Sequence, residues 1–161
     1  MVYQSSEDSL DCIFVTASSA KDAYQGLAHK YMAIEPPTWS LLLAESCRSK
    51  GFKVGILDAE AERLSDYEVK ERISESKPKI ILFVVYGDNP NAGTICMIGA
   101  SRTAKFIKNE EQNICFVGSH ISALPQDVLK EEYVDIIFTN EGVYALHNLL
   151  KLIKNYPKIW R

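Results

Sequence analysis

Glycines follow three of the apolar runs in this sequence of 161 residues. They are Gly87 after residues 80–86, Gly118 after residues 114–117 and Gly142 after residues 134–139. Apolar runs of this length predict buried β-strands, and ligands bind at the carboxyl ends of the strands in an open parallel sheet. Because glycine lets a backbone approach a ligand closely, this spacing predicts a ligand-binding α/β domain.

Histidines His29, His120 and His147 are the imidazoles that acid–base chemistry would need. His120 is the best placed of them because it follows Gly118 and Ser119 at a strand end, although a structural role for it stays open. His147 falls in the last predicted helix, where a surface or half-buried structural role is the simpler interpretation. No serine or cysteine is obviously paired with His120, and no catalytic residue is predicted.

The composition is that of a soluble globular domain, with 47% hydrophobic residues, 24% charged residues and a net charge of −3. Lys and Arg are scattered, so we expect no nucleic-acid partner. The polar start of the chain and the absence of a long apolar run indicate a cytoplasmic protein with no membrane partner. We expect one domain over residues 1–161, with residues 1–10 disordered and residues 156–161 as a docking segment or the start of a linker.

The cysteines, Cys12, Cys47, Cys96 and Cys115, include no closely spaced pair. That spacing excludes a zinc knuckle and a redox C-x-x-C motif, so no metal site is predicted. Cys12 and Cys115 fall in predicted strands and Cys47 on an apolar helix face. Buried, reduced thiols are therefore expected.

Short β-rich runs alternate with helical patterns, which is typical of parallel βαβ units. The predicted strands are residues 12–16, 53–58, 80–86, 114–117 and 134–139. The third is apolar at every position from 80 to 85, as expected of a central strand with helices on both faces.

Apolar residues at helical spacing predict the helices. The first begins after Pro37, the second opens with a capping-box pattern from Ser65 to Glu68, and residues 125–130 allow only a short one. The stripes expected to face the core are Trp39, Leu42, Leu43 and Cys47; Val69 and Ile73; Met97, Ala100, Ala104 and Ile107; and Val143, Leu146, Leu150 and Ile153.

Two connections stand out, because βα loops usually have about 2–6 residues. Residues 17–35 separate the first strand from its helix, and residues 87–93 are rich in turn-forming residues. The first loop lacks the G-x-G-x-x-G pattern of a dinucleotide site. The third strand ends in Tyr86, without the acids that would hold magnesium in a receiver domain. A flavodoxin site stays open because hydroxyls of Thr16, Ser18 and Ser19 could bind a flavin phosphate.

A set of short segments in order over residues 34–155 resembles the cobalamin-binding domain at the N-terminus of many radical S-adenosylmethionine enzymes. The segments are Glu35-Pro36-Pro37, Gly51-Phe52-Lys53-Val54, Leu57-Asp58, Val85-Tyr86-Gly87, Val117-Gly118-Ser119-His120, Ala123-Leu124-Pro125, Val134-Asp135 and Asn140-Glu141-Gly142. The resemblance implies a flavodoxin-like three-layer α/β/α sandwich with a five-stranded parallel sheet of order 2-1-3-4-5. Cobalamin would lie across the carboxyl ends of the strands, with its nucleotide tail inserted beside the sheet.

The resemblance also implies which residues contact cobalamin, the tail being flanked by the loop after the third strand and the small residues after the fourth. They are Thr16, Glu35, Pro36, Pro37, Tyr86, Gly87, Asp88, Asn89, Ala92, Gly93, Thr94, Gly118, Ser119, His120, Ala123, Leu124, Asn140, Glu141 and Gly142.

Three positions depart from the family pattern. Ser119 stands where the family has a second glycine, and Val143 where it often has an acid. His29 lacks the Asp and Gly of a D-x-H-x-x-G motif, since Leu27 and Met32 occupy those positions. We therefore expect cobalamin to bind with its own base displaced and with no histidine ligand.

The resemblance implies a cofactor domain of a methyltransferase or cyclase rather than a complete enzyme. The sequence has no C-x-x-x-C-x-x-C motif, so a [4Fe-4S] cluster and S-adenosylmethionine would be bound only by a radical domain, in cis or in trans. Two alternatives stay open: a degenerate flavodoxin-like protein-interaction module without cofactor, and an FMN-binding electron-transfer domain.

Overall fold

A computed structural model describes residues 9–20, 22, 27, 34–86, 90–109 and 113–156, with the backbone alone at 90 and 91. Its strands are β1 (Cys12–Thr16), β2 (Val54–Asp58), β3 (Ile80–Val85), β4 (Asn113–Gly118) and β5 (Ile136–Phe138). The helices described here as α1 to α6 are α1 (Thr38–Arg48), α2 (Asp66–Ser76), α3 (Pro90–Ile107), α4 (Ser119–Ala123), α5 (Pro125–Leu129) and α6 (Val143–Asn155).

The strands form one parallel sheet of order β2-β1-β3-β4-β5, which confirms the expected flavodoxin-like topology. All six residues of β3 are buried, as predicted for the central strand. The register pairs Val85 with Gly118, so the carboxyl ends of β3 and β4 lie side by side. Of the predicted ligand residues, Tyr86, Gly118 and Ser119 lie at or directly after these two strand ends.

Helices cover both faces of the sheet, giving three layers. On one face α1 and α6 pack against Phe14, Leu82 and Val117. On the other face α2, α3, α4 and α5 cover a core in which the rings of Phe83 and Phe116 stack with centroids 5.1 Å apart. Alternate side chains of each strand belong to the core on one face or the other, since successive side chains point to opposite faces of the sheet.

The predicted core stripes of α2 and α3 are confirmed, as is that of α6, in which Val143 is only partly buried. The stripe of α1 was partly wrong. Its buried residues are Ser40, Leu43, Ala44 and Cys47, whereas Trp39 is 39% exposed and Leu42 is 58% exposed. Positions 40, 43, 44 and 47 share one helical face. Because position 40 is a serine, this face does not read as an apolar stripe in the sequence.

Hydrogen bonds of side chains explain where several elements begin and end. The predicted capping box is confirmed: Ser65 accepts from the backbone N–H of Glu68, whose carboxylate accepts from the N–H of Ser65. Strand β5 (Ile136–Phe138) is shorter than the predicted residues 134–139, and just before it the Asp135 carboxylate accepts from the N–H of Ile114. Helix α4 was not predicted, since Ile121 is the one large apolar residue among its five and a single residue makes no apolar stripe.

The cysteines are free thiols, as expected. Cys12, Cys47 and Cys115 are buried and Cys96 is half-buried. Burial raises the pKa of Cys47 to about 12 and also raises the pKa of Cys12 and Cys115 above the ordinary value. Cys12, Cys47 and Cys115 are therefore protonated and unreactive at neutral pH.

None of the helices in the described ranges is long and apolar enough to cross a bilayer.

Helices α1 and α6 are joined by a hydrogen bond between side chains. Ser46 Oγ lies 2.9 Å from Nε2 of His147, which is 7% exposed, and Tyr144 meets the imidazole edge-on. The structural role predicted for His147 is thus supported. Burial, followed by the nearby Lys50 and Lys151, lowers the pKa of His147 below its ordinary value.

The buried imidazole predicts an acid-sensitive contribution to stability. Because the pKa of His147 is lower in the folded chain, the unfolded chain binds a proton first as the pH falls. The contribution of His147 to the free energy of unfolding should be fully present above about pH 7.5. It should decrease as the pH falls from about 7.5 to 5.5. Urea unfolding at several pH values should show a flatter profile for His147→Gln than for the parent protein. Equal slopes for the two proteins would contradict this account.

Candidate functional site

A cleft of about 730 Å³ opens at the carboxyl edge of the sheet, on the face covered by α1 and α6. Its volume lies within the range typical of small-molecule sites. The walls come from α1, the residue after β3, α4, the loop after β5 and the first turn of α6. The residues lining the cleft are Trp39, Tyr86, Ser122, Asn140, Glu141, Gly142, Val143, Tyr144 and Ala145.

A chain of hydrogen bonds fixes the floor of this cleft. The Tyr86 hydroxyl donates to the carbonyl of Asn140 at 2.9 Å. The N–H of Asn140 donates to Ser122 Oγ at 2.8 Å, and that hydroxyl donates to the carbonyl of Gly118 at 2.9 Å. The carboxyl ends of β3, β4 and β5 are therefore held together by four residues.

The loop from β5 to α6 turns sharply through two residues with positive φ. Asn140 has a φ of 56° and Gly142 a φ of 66°. Asparagine tolerates this region, and glycine adopts it without steric cost. A Cβ on Gly142 would also lie 2.7 Å from Cβ of Phe138. The turn thus places Glu141 at the rim and starts α6 directly beside the cleft.

Two aromatic rings form one wall of the cleft. Trp39 and Tyr86 stack with centroids 4.6 Å apart and planes 23° apart. Partial burial, and then the charge of Glu141, raise the pKa of Tyr86 above its ordinary value. The phenol therefore stays protonated and keeps its hydrogen bond to Asn140.

A second group of predicted residues lies on the opposite face, where α3 meets α4. Ser119 Oγ would be 2.5 Å from a Cβ on Gly93, so the serine hydroxyl fills the space beside that glycine. Thr94 Oγ1 lies 3.4 Å from Nδ1 of His120. The Ser119 side chain thus occupies the space between α3 and the end of β4.

The need for glycine at position 118 comes from the packing of the sheet itself. A Cβ at this position, where φ is +153°, would overlap the carbonyl oxygen of Val85 on the neighbouring strand. The predicted reason for this glycine was room for a ligand. The structure shows that its lack of a side chain lets two backbones approach.

The structure thus brings four predicted residues into the cleft, namely Tyr86, Asn140, Glu141 and Gly142. Others lie apart from it. Thr16 Oγ1 is 3.1 Å from Ser40 Oγ, at the end of β1. The remaining predicted residues are Glu35, Pro36 and Pro37, just before α1; Ala92, in the first turns of α3; and Ala123 and Leu124, at the end of α4. Gly87, Asp88, Asn89, His29, and the end segments 1–8 and 157–161 lie outside the described residues.

Sequence reasoning missed five of the cleft residues: Trp39, Ser122, Val143, Tyr144 and Ala145. It predicts core stripes for Trp39 and Val143, and it notes Val143 also as a position where the similar family often has an acid. For Trp39 the sequence did contain a signal. Trp39 is next to Ser40, and a buried face that runs through Ser40 leaves Trp39 outside it. Tyr144 is 83% exposed, and nothing local in the sequence distinguishes it from an ordinary surface tyrosine.

Two of the three hydroxyls that could bind a flavin phosphate have neighbours within the protein: Thr16 Oγ1 lies 3.1 Å from Ser40 Oγ, and Ser19 Oγ donates to Cys96 Sγ at 3.9 Å. The N–H of Ser19 donates to the Glu60 carboxylate at 2.5 Å. The carbonyl of Ser18 accepts from Arg102 and lies against Gly99 of α3. A carboxylate beside Ser19 would repel a phosphate. Within the described ranges, no three His, Cys, Asp or Glu side chains are grouped to hold a metal ion.

One solved structure shares this fold over nearly the whole chain. It is the structure of the cobalamin-dependent S-adenosylmethionine radical enzyme OxsB with aqua-cobalamin bound, with a TM-score of 0.59 and 19% sequence identity. The likeness covers 91% of this chain but only 19% of the enzyme's chain. At this identity the likeness shows a shared fold. No protein-family model and no curated protein matches the chain.

The close approach at Gly118 can be separated from simple backbone strain. Gly51 also has a positive φ, of +81°, but a Cβ there would meet nothing within 4 Å. Gly51→Ala should cost only the left-handed conformation, about 1–2 kcal/mol. Gly118→Ala should cost clearly more, or prevent folding, because strands β3 and β4 must also separate. Urea unfolding of both variants measures the difference, and equal losses would refute the packing role.

Proposed function

We propose that this chain is a cobalamin-binding domain. The observation that carries the proposal is the shared fold with a chain whose structure contains aqua-cobalamin, over 91% of the residues here. The order of short segments that resembles cobalamin-binding domains supports it independently. The cleft lies at the carboxyl edge of the sheet, where open α/β domains bind their ligands.

The residues of the cleft suit part of a large, mostly uncharged ligand. The space of about 730 Å³ is wide enough for a substituted ring system, and two stacked aromatic rings border it. No Lys or Arg is among the described residues that line it. Trp39, Tyr86 and the 140–145 segment would hold the ligand on the α1 and α6 side. Gly93, Thr94, Ser119 and His120 would border it on the α3 side.

The proposed role is that of a cofactor domain for radical chemistry. Cobalamin, when bound, supplies a cobalt centre able to carry a methyl group, and the protein positions and tunes it. A radical S-adenosylmethionine domain, in cis or in trans, would supply the [4Fe-4S] cluster and S-adenosylmethionine, and the reaction would be a methyl transfer or a cyclisation in the cytoplasm. The sequence here has no C-x-x-x-C-x-x-C motif of its own.

A protein-interaction role is the second candidate. Helix α1 exposes Leu41 (47%) and Leu42 (58%) beside Trp39. Single exposed apolar residues are common, but adjacent ones on one helix mark contact surfaces more often. This role is compatible with docking of a radical domain, and it becomes the main function if no cofactor binds.

Retention of cobalamin tests the proposal. The purified protein is mixed with hydroxocobalamin, desalted and examined by visible spectroscopy, and a retained corrinoid band near one per chain is expected. Ala145→Trp should abolish retention because Ala145 is exposed and lines the cleft. Asn148→Trp, also exposed on α6 but outside the cleft lining, is the matched control and should retain the band. If the parent protein retains no corrinoid band after desalting, the proposal is rejected.

The base-displaced form without a histidine ligand is a separate expectation. His147 is bonded to Ser46 and His120 lies beside Thr94, so each described imidazole already has a neighbour at hydrogen-bond distance. Electron paramagnetic resonance of the cob(II)alamin complex should show no strong splitting from an axial nitrogen, in the parent protein and in His29→Ala alike. A nitrogen splitting that disappears in His29→Ala would instead assign the lower ligand to His29.

A further inference from the structure

The stacked pair of Trp39 and Tyr86 lies at the edge of the core, against which Tyr86 is partly buried. Trp39 lies outside the buried stripe of α1, and 39% of its surface is exposed. The pair nevertheless stacks closely, with centroids 4.6 Å apart, and both rings line the cleft. Because 39% of Trp39 remains exposed while it stacks on Tyr86, the pair has surface left for another flat group.

The pair is held in place before any ligand arrives. Tyr86 follows the buried strand β3 directly, and its hydroxyl is fixed by the carbonyl of Asn140. Trp39 is in the first turn of α1, next to Ser40, which is buried and bonded to Thr16 at the end of β1. A surface fixed in this way loses little conformational entropy when a ring stacks on it.

The charge around the pair favours a neutral ring over an anionic group. Glu141 is near enough to Tyr86 to raise the pKa of the phenol, and Lys and Arg are missing from the described lining. A phosphate at this wall would meet a carboxylate without a compensating cation. A planar heteroaromatic ring needs no counter-charge and gains from stacking on tryptophan and tyrosine.

We propose that Trp39 and Tyr86 form the stacking surface for the heteroaromatic base of the cobalamin nucleotide tail. The inference rests on the proposed function, because it takes cobalamin as the source of the ring. A base displaced from cobalt is free to stack elsewhere, and this pair is the aromatic wall of the cleft. The pair would then select corrinoids that carry a planar base over corrinoids that lack one.

The test compares hydroxocobalamin with diaquacobinamide, which has the corrin ring but no nucleotide base. Each is titrated by visible absorbance against the parent protein, Trp39→Leu, Trp39→Phe and Leu42→Ala. Base stacking contributes enough that Trp39→Leu should weaken hydroxocobalamin binding about tenfold. Diaquacobinamide binding should change little. Trp39→Phe should restore part of the loss, and Leu42→Ala, exposed on the same helix and outside the cleft lining, should leave both ligands unaffected.

The outcomes separate this inference from the function on which it rests. If the parent protein binds both corrinoids equally well, or Trp39→Leu weakens both equally, the stacking role is wrong and the cobalamin-binding function stands. If the parent protein binds neither corrinoid, both proposals are overturned. Riboflavin, a flat ring without phosphate, is the third ligand: tight binding that depends on Trp39 without corrinoid binding would assign the surface to a flavin and reject cobalamin.

Discussion

The contact between the ends of β3 and β4 is the constraint on which the cleft depends. Val85 pairs with Gly118, and a Cβ at position 118 would overlap the Val85 carbonyl. Because the two backbones approach here, α4 begins at Ser119 and carries Ser122 back to the Gly118 carbonyl. Ser122 then receives the N–H of Asn140, which sets the loop that starts α6. The missing side chain at position 118 thus permits the strand contact from which the hydrogen bonds through Ser122 and Asn140 begin.

At the carboxyl edge of the sheet, the described residues pack differently on the two faces. On the α3 side, Ser119 fills the space beside Gly93, and Thr94 lies at hydrogen-bond distance from His120. On the α1 and α6 side, the turn at Asn140 and Gly142 leads the chain around an open volume of about 730 Å³. The Ser119 side chain therefore occupies space on the α3 side, and the open cleft on the other side is bordered by Trp39 and Tyr86. Among the described residues, a ligand that enters the cleft meets the stacked rings of Trp39 and Tyr86.

Patterns set by burial were predictable from the sequence, and contacts between distant segments were not. The wholly apolar β3 and the capping box at Ser65 follow from local rules, and both are confirmed. The face of α1 was misassigned because Ser40, a polar residue, is buried through its bond to Thr16 of β1, 24 residues away. The aromatic wall depends on Trp39 and Tyr86, which are 47 positions apart in the sequence and come together only through the packing of α1 on the sheet. No periodicity within one segment carries that information.

Burial of Ser40 instead of Trp39 has a physical consequence for the site. A tryptophan turned into the core would bury a large apolar surface and stabilise the domain, so its partial exposure forgoes part of that stabilisation. The Thr16–Ser40 bond keeps α1 in the rotation that leaves Trp39 at the rim, against Tyr86. Natural sequences tend to depart from the best local packing at functional positions. The orientation of α1 thus combines two roles: it buries Leu43, Ala44 and Cys47 in the core, and it leaves Trp39 in the wall of the cleft.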